Sequence, residues 1–243
     1  MSRDNNFIKV TYVAHSAGGP PWTYYINQNI GKYFTYVFWK LHVSPNTVTI
    51  LGALVEIAAN ALLVWRVKDL NIWWIIAIGI MWQIGYSLDC SDGQLARLTG
   101  KGSKFGVWFD LMIDFVNHSL LVSAIFFLIL VNRGTSLTIS EYWLYFASFA
   151  FCLSANLFVL FSSNIKKLIF GKERKILPYG AFNGVEIVRN IIASILDYGT
   201  FLFLMAIFLK IPALLFYVIN GYSFLGAAAV LGTGIMFYKH GGE

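Results

Sequence analysis

The stretch from Phe105 to Val131, FGVWFDLMIDFVNHSLLVSAIFFLILV, decides the class of fold. It is longer than the about 20 apolar residues that a helix needs to cross the hydrocarbon core of a bilayer. Asp110 and Asp114 are its only charged residues, and both lie in its first half. The stretch therefore predicts a transmembrane helix that carries two carboxylates near one end.

The composition of the whole chain agrees with a membrane protein. Of its 243 residues, 58% are hydrophobic and 12% are charged, whereas about a quarter of the residues in a soluble domain are charged. The 18 Lys and Arg outnumber the 12 Asp and Glu, but most of these cations lie in short segments between apolar runs, which argues against a nucleic-acid partner. Cys152 falls within an apolar run and Cys90 lies at the end of another, so we expect neither a disulfide framework nor a cysteine-based zinc site.

Six apolar runs are long enough to span a bilayer. They cover residues 47–65, 71–88, 105–131, 141–163, 185–209 and 212–238. If both termini are cytoplasmic, 14 of the 18 Lys and Arg lie on the cytoplasmic side, as the positive-inside rule requires. We therefore expect an all-α integral membrane protein with six transmembrane helices and both termini in the cytoplasm.

Residues 1–45 differ from the rest and predict a cytoplasmic and interfacial leader before a transmembrane catalytic domain of residues 46–243. The leader has no apolar core near its start, so it does not resemble a cleavable signal peptide. From Trp22 to Lys40, aromatic and apolar residues alternate with Asn, Gln and Lys at helical spacing, which predicts an amphipathic helix at the membrane interface. Its role is either that of a plain anchor, which we favour, or that of a substrate contact.

Four of the twelve acidic residues cluster around the loop that follows the second apolar run. Asp89 and Asp92 are three residues apart, and Asp110 and Asp114 are four apart, so each pair lies on one face of a helix. Two such helices can direct all four carboxylates at one another, and an all-oxygen group suits Mg²⁺, Mn²⁺ or Ca²⁺ better than Zn²⁺ or Cu²⁺. A solvated rim paired with nearby Lys and Arg would suit a single Asp, but four at matched spacings favour a metal site.

These residues form the pattern Asp-x2-Asp-Gly-x2-Ala-Arg-x8-Gly-x3-Asp-x3-Asp, which resembles the signature of the CDP-alcohol phosphotransferase (CDP-alcohol phosphatidyltransferase) family of integral membrane enzymes. The stretch from Ser44 to Thr49, Ser-Pro-Asn-Thr-Val-Thr, also resembles a Pro-Asn-x-x-Thr element upstream in this family. The eight defining positions of the signature are Asp89, Asp92, Gly93, Ala96, Arg97, Gly106, Asp110 and Asp114.

The resemblance implies an enzyme in which a CDP-linked alcohol gives its phosphoalcohol group to an acceptor hydroxyl and releases CMP. By this resemblance, Asp114 is the general base, and one or two ions of Mg²⁺ or Mn²⁺ are held by Asp89, Asp92, Asp110 and Asp114. The CDP-binding residues that it implies are Asn46, Thr49, Gly93, Ala96, Arg97 and Gly106. We expect a multi-pass protein of the cell membrane, in contact with the lipid bilayer, as a homodimer whose active site faces the cytoplasm.

Residues outside the signature are expected to select the acceptor. Asn117 and His118 continue the helical face of the last motif aspartate, and Arg189 lies at the start of the fifth apolar run. Five further cations either bind an acceptor phosphate or contact anionic lipid headgroups: Lys166, Lys167, Lys172, Arg174 and Lys175. Glu56 and Asp197 either line the cavity or are bonded between helices.

Three functions are compatible with these features. The leading hypothesis is phosphoalcohol transfer from CDP-diacylglycerol in phospholipid biosynthesis. The alternative uses a soluble CDP-alcohol to make a non-lipid phosphodiester or a glycopolymer precursor, because Tyr24-Tyr-Ile-Asn27 resembles members with non-lipid substrates. A divalent-cation transporter belongs to a different class, and it would need polar residues along a whole pathway rather than acids clustered at one end.

Overall fold

The structure, a computed structural model, describes residues 3–16, 18–134, 137–170 and 193–240, with side chains for residues 7–16, 18–134, 137–162 and 193–232. The helices are α1 (Arg3–Ala14), a π-helical segment (Thr23–Asn27) that continues into α2 (Gln28–Lys40), α3 (Pro45–Trp65), α4 (Ile72–Thr99), α5 (Lys104–Arg133), α6 (Ile139–Phe170), α7 (Tyr198–Phe208) and α8 (Pro212–His240). Residues 193–195 are also helical. No strand occurs among the described residues, which confirms the all-α class.

Five helices are long and apolar enough to cross a membrane. They cover Pro45–Trp65, Ile72–Thr99, Lys104–Arg133, Ile139–Ser162 and Pro212–Gly232, and they correspond to five of the six predicted runs. The helix α7 is apolar but has 11 residues. The predicted run 185–209 begins outside the described residues, so the sixth span remains a prediction.

Side-chain caps determine where several of these helices begin. Ser44, Asn71 and Ser103 each accept a hydrogen bond from a backbone N–H in the first turn of α3, α4 and α5, respectively. At the other end of α4, Gly100 adopts the left-handed conformation, with φ of 67°, that ends many helices. These caps fix the short connection of residues 100–103 between α4 and α5.

The helix α4 extends well beyond the predicted end at residue 88. Asp89 and Asp92 therefore lie on the helix and not in a loop. The change from apolar to polar residues marks where side chains leave the apolar environment, whereas the helix continues until Gly100 because only Gly93 in between is a poor helix former. The result is a rigid base for the first two motif aspartates.

Close helix packing surrounds α4. A Cβ atom placed on Gly52 of α3 would lie 3.0 Å from the carbonyl oxygen of Gly85, so the two backbones are nearly in contact there. Fully buried apolar side chains from three helices, including Ile78, Ile125 and Met205, form the main core. This core packs α4, α5 and α7 against one another.

The leader helix α2 packs on α4 through polar residues. The Thr35 hydroxyl donates to Gln94 Oε1 at 2.8 Å, and Gln94 Nε2 donates to the carbonyl oxygen of Gln28 at 3.1 Å. Phe34 and Phe38 pack against a small apolar cluster of α3 and α4, whereas Tyr33 and Val37 are 58% and 49% exposed. Exposed apolar side chains are what an interfacial helix requires, and the position of α2 at a membrane remains a prediction.

Candidate active site

Three motif aspartates form a compact group between α4 and α5. Asp89, Asp92 and Asp110 each offer one carboxylate oxygen, and these oxygens lie within 4.8 Å of one another. Asp92 is buried and accepts a hydrogen bond from the Thr49 hydroxyl of α3. Asp114 is one turn further along α5 and lies outside this group, but it lines the same cavity as Asp89 and Asp110.

The chemistry of this group fits a hard divalent cation. Every ligand atom it presents is a carboxylate oxygen, and three carboxylates this close together repel one another unless positive charge is placed among them. Oxygen ligands of this kind are preferred by Mg²⁺ and Mn²⁺. Asp89, Asp92 and Asp110 are therefore the residues that could hold such an ion.

A narrow cleft of about 100 Å³ opens on one side of the aspartate group. Five of the six residues that the sequence assigns to CDP binding line it, together with Asp92 and Asp110: Asn46, Thr49, Gly93, Ala96 and Gly106. The sixth, Arg97, is exposed, and its Nη1 lies 3.3 Å from the position of a Cβ atom on Gly93. The two helices and the start of α3 thus bring the predicted set to one place.

Glycine leaves space at two positions of this cleft. A Cβ atom on Gly106 would lie 3.3 Å from Asn46 Oδ1 and 3.2 Å from Ser103 Oγ. A side chain at Gly106 or Gly93 would therefore crowd the polar groups that line the cleft. The missing side chains leave room for a ligand to approach the backbone.

A larger cavity of about 430 Å³ also borders the aspartates. Asp89, Asp110 and Asp114 line it, so Asp110 belongs to both the cavity and the cleft. Its remaining polar lining comes from α4, α5, α6, α7 and α8: Tyr86, His118, Asn156, Tyr198, Tyr222 and Ser223. The geometry therefore provides two binding spaces that meet at one carboxylate.

The residues that the sequence assigns to the acceptor differ in where they lie. His118 lines the cavity, and its ring stacks on Tyr198 with the centroids 4.1 Å apart. Asn117 is buried, hydrogen-bonds with Glu56 and does not line the cavity. Arg189 lies outside the described residues, as do Lys172, Arg174 and Lys175; Lys166 and Lys167 lie on α6, without described side chains.

Asp197 is bonded between helices, which decides between the two roles left open by the sequence. Its Oδ1 accepts from the Thr23 hydroxyl at 2.5 Å and from the Gly199 N–H at 3.0 Å, and its Oδ2 accepts from the Thr23 N–H at 2.6 Å. One carboxylate thus caps α7 and fastens the start of the leader helix to it. We call this arrangement the Asp197 clamp.

Sequence reasoning missed two tyrosines of the cavity, Tyr86 and Tyr198. The abundant aromatic residues suggested a belt at the membrane interface, and composition does not separate a belt residue from a cavity residue. The sequence did contain one signal. Tyr86 precedes Asp89 by three residues and therefore lies on the same helical face.

The fold and the site define a multi-pass helical membrane protein with a carboxylate centre between two binding spaces. Residues 42–211, more than half of the chain, match the sequence profile of the CDP-alcohol phosphatidyltransferase family. The chain belongs to this family. The match confirms the resemblance and the prediction of an enzyme of this class, in place of a cation transporter.

A curated relative is similar to part of the chain. The archaetidylinositol phosphate synthase of Pyrococcus horikoshii is 35% identical to it over 86 residues, which are 35% of this chain and 42% of the relative. The chain therefore matches less than half the length of that relative.

Proposed function

We propose that the protein transfers a phosphoalcohol group from a CDP-alcohol to an acceptor hydroxyl and releases CMP. The observation that carries this proposal is Asp110, which lines both the cleft and the cavity. A transfer reaction needs its two substrates held on opposite sides of one centre, with the reacting atoms close together. The membership of the family supports the same chemistry.

The cleft is the proposed donor side. Asn46, Thr49 and Ala96 line it, and Gly93 and Gly106 leave space beside the backbone for the CDP group. The Arg97 guanidinium, next to Gly93, is suited to a phosphate oxygen. Asp89, Asp92 and Asp110 would hold one or two ions of Mg²⁺ or Mn²⁺, which supply charge neutralisation at the donor diphosphate when bound.

The cavity is the proposed acceptor side, and Asp114 is its general base. Asp114 lines the cavity and lies outside the three-oxygen group, which places its carboxylate beside the proposed acceptor space. Asp114 accepts the hydroxyl proton while the hydroxyl oxygen forms a bond to the phosphorus, and the bond from phosphorus to the CMP oxygen breaks. Orientation of the two substrates contributes more than the basicity of a carboxylate.

Two observations support a lipid donor over a soluble one. An apolar groove of about 750 Å³ lies between the leader helix, α4 and α7, and Ile26, Ile80 and Phe203 are among its lining residues. The name of the Pyrococcus relative specifies a lipid that carries inositol phosphate. We therefore propose a CDP-linked lipid such as CDP-diacylglycerol as the donor, in phospholipid biosynthesis.

We further propose six spans, cytoplasmic termini and a location in the cell membrane, so that the aspartates face the cytoplasm. The distribution of Lys and Arg supports this orientation, and the five apolar helices support several membrane crossings. A homodimer and His118 as an acceptor contact complete the proposal. Arg189, at the start of the fifth run, is proposed to bind an acceptor phosphate.

The test is an assay of CMP release by the purified protein in lipid nanodiscs. CDP-diacylglycerol or a soluble CDP-alcohol is supplied with Mg²⁺ or Mn²⁺ and a panel of acceptors: myo-inositol, myo-inositol 1-phosphate, glycerol and glycerol 3-phosphate. We expect CMP release with the lipid donor and at least one acceptor. The absence of CMP with every pair would contradict the proposed function, and release with a soluble donor alone would favour the non-lipid alternative.

A further inference from the structure

Two tyrosines line the cavity beside the aspartates and do not belong to the family signature. Tyr86 is on α4, one turn before Asp89, and Tyr198 is the first residue of α7. Their rings are perpendicular, with centroids 5.1 Å apart. The two phenol groups therefore lie on one wall of the cavity.

The Tyr198 hydroxyl is buried and has no hydrogen-bond partner in the described part of the chain. The ring itself is well fixed, because the His118 ring stacks on one side of it at an interplanar angle of 12° and Tyr86 contacts it edge-on. Buried hydroxyl groups in folded proteins almost always have a partner. A rigid cavity-lining hydroxyl without one is therefore placed to bond with the contents of the cavity.

The Tyr86 hydroxyl has its proton direction fixed by the Asp197 clamp. The Thr23 hydroxyl has a single proton, which it donates to Asp197 Oδ1 at 2.5 Å. The 2.9 Å bond between the Thr23 and Tyr86 hydroxyls must then be donated by Tyr86. The Tyr86 oxygen is left as an acceptor towards the cavity, whereas Tyr198 is free to donate.

We infer that Tyr86 and Tyr198 recognise a second, non-reacting hydroxyl of the acceptor, and that the acceptor is therefore a polyol. Tyr86 accepts the proton of that hydroxyl, and Tyr198 donates to the oxygen of the same or a neighbouring hydroxyl. Thr23 and Asp197 are positioning residues that set the direction of the Tyr86 proton. This inference rests on the proposed function and names the substrate class of its acceptor side.

The remaining described cavity wall combines apolar residues such as Val159 and Leu160 with a few neutral polar groups, and the polar groups agree with a ligand that carries hydroxyl groups. Asn156 Nδ2 donates to Ser223 Oγ at 3.1 Å, and the Tyr222 hydroxyl donates to the carbonyl oxygen of Leu196 at 2.9 Å. These neutral groups add amide and hydroxyl oxygens to the lining of the cavity. Such groups bond with neutral hydroxyls without placing another charge near the carboxylates.

The inference also gives the leader a specific role. Thr23 belongs to the π-helical segment of the leader, and its hydroxyl connects the clamp to a cavity residue. The leader is then part of the acceptor site and not only an anchor. The donor cleft, in contrast, has none of these residues in its lining.

The first experiment compares Tyr86→Phe and Tyr198→Phe with the wild-type protein. Tyr217→Phe is the matched control, because Tyr217 is on α8 and 71% exposed. Binding of myo-inositol, myo-inositol 1-phosphate, glycerol and glycerol 3-phosphate is measured by calorimetry with CMP and Mg²⁺ present, and acceptor and donor KM are measured in the same samples where turnover occurs. We expect each tyrosine variant to weaken polyol binding and to raise the acceptor KM about three- to tenfold, because each variant loses one hydrogen bond to the polyol. The donor KM should be unchanged.

The second experiment uses monodeoxy analogues of the polyol that binds most tightly. For the analogue that lacks the recognised hydroxyl, wild-type and Tyr198→Phe proteins should bind equally well. A wild-type protein that binds none of the polyols, an unchanged affinity in both tyrosine variants, or an equal loss of donor binding would contradict the inference. The proposed function is tested separately, because it is contradicted only if no CMP is released. In that case the calorimetry still shows whether the two tyrosines contribute to polyol binding.

A third comparison tests the positioning residue. Thr23→Val removes the hydroxyl that accepts from Tyr86, and Thr23→Ser keeps it. We expect the Val variant to weaken polyol binding and the Ser variant to restore it. The Val variant also removes a donor to Asp197 Oδ1 and should unfold at a lower temperature, so binding is compared well below its unfolding midpoint. Equal affinities in the two variants would show that the direction of the Tyr86 proton has no role in binding.

Discussion

At the scale of single residues, Asp110 has the most demanding position, because it lines both the cleft proposed for the donor and the cavity proposed for the acceptor. Its carboxylate oxygen lies within 4.8 Å of ligand oxygens of Asp89 and Asp92. A change at this residue alters both the proposed cation site and the geometry between the two substrates. Asp110 is therefore expected to be more sensitive than any residue of the outer cleft, such as Asn46.

Asp110→Asn is predicted to reduce CMP release by more than about 100-fold, the usual loss when a preorganised electrostatic contact at a reacting centre is removed. Asp69→Asn is the matched control, since Asp69 is exposed and pairs with Arg66 in the connection between α3 and α4. The measurement is the rate of CMP release at saturating substrates. A variant with near wild-type activity would contradict the central role of Asp110.

Asp114→Asn is predicted to separate catalysis from cation binding. Asp114 lies outside the compact group of three carboxylates, so its replacement should abolish turnover while Mn²⁺ still binds with an affinity close to that of the wild type. Asp110→Asn should weaken Mn²⁺ binding at the same time. Calorimetric titration of Mn²⁺ into each metal-depleted variant checks this, and equal weakening in both variants would place Asp114 among the cation ligands.

At the scale of helices, the close contact between α2 and α4 determines whether the leader reaches the site. A Cβ atom on Gly31 would lie 2.8 Å from the carbonyl oxygen of Ser87, so a side chain there must push α2 away from α4. The polar bonds of Thr35 and Gln94 would then be lost as well. The leader is thus held by a fit that tolerates no additional volume.

Gly31→Val is predicted to destabilise the protein by about 1–3 kcal/mol, the cost of overpacking a well-fitted contact. Gly221→Val is the matched control, because a Cβ atom on Gly221 of α8 would meet no atom within 4 Å. Thermal unfolding in detergent is the measurement. A midpoint for Gly31→Val as high as that of the control would mean that α2 does not pack closely in solution.

The helices and the motif aspartates could largely be predicted from the sequence, but the contacts between residues far apart in the chain could not. Apolar run length fixes the spans, and spacings of three and four residues fix a shared helical face, so the motif residues were found directly. The end of α4 was misplaced because Asp89 begins a polar stretch that remains helical to Thr99. The Asp197 clamp joins residues 174 positions apart, and no local pattern reveals such a contact.

At the scale of the whole molecule, the distribution of charge determines which side of the membrane the site faces. The connection of residues 100–103 lies at the end of α4 that carries the aspartates. The connection between α3 and α4, which contains Lys68, lies at the other end of α4. Lys and Arg flank the first connection at Arg97, Lys101 and Lys104. By the positive-inside rule we expect the aspartate end to be cytoplasmic.

Cysteine labelling is predicted to confirm this orientation. In a protein with Cys90 and Cys152 replaced by Ala, Lys68→Cys should react with a membrane-impermeant maleimide added to intact cells, and Gly102→Cys should react only after the cells are opened. Both positions are exposed. The reverse pattern would place the site on the outer face and contradict a cytoplasmic reaction.

The Asp197 clamp also sets an order for biosynthesis. Thr23 leaves the ribosome early, whereas the carboxylate that bonds with it is synthesised 174 residues later. Throughout this interval the nascent leader has none of its bonds to α7. The earlier spans can insert before that time, but the cavity wall that includes Tyr198 is complete only when α7 has been made. We therefore expect a chain that terminates before Asp197 to lack the assembled cavity even if it enters the bilayer.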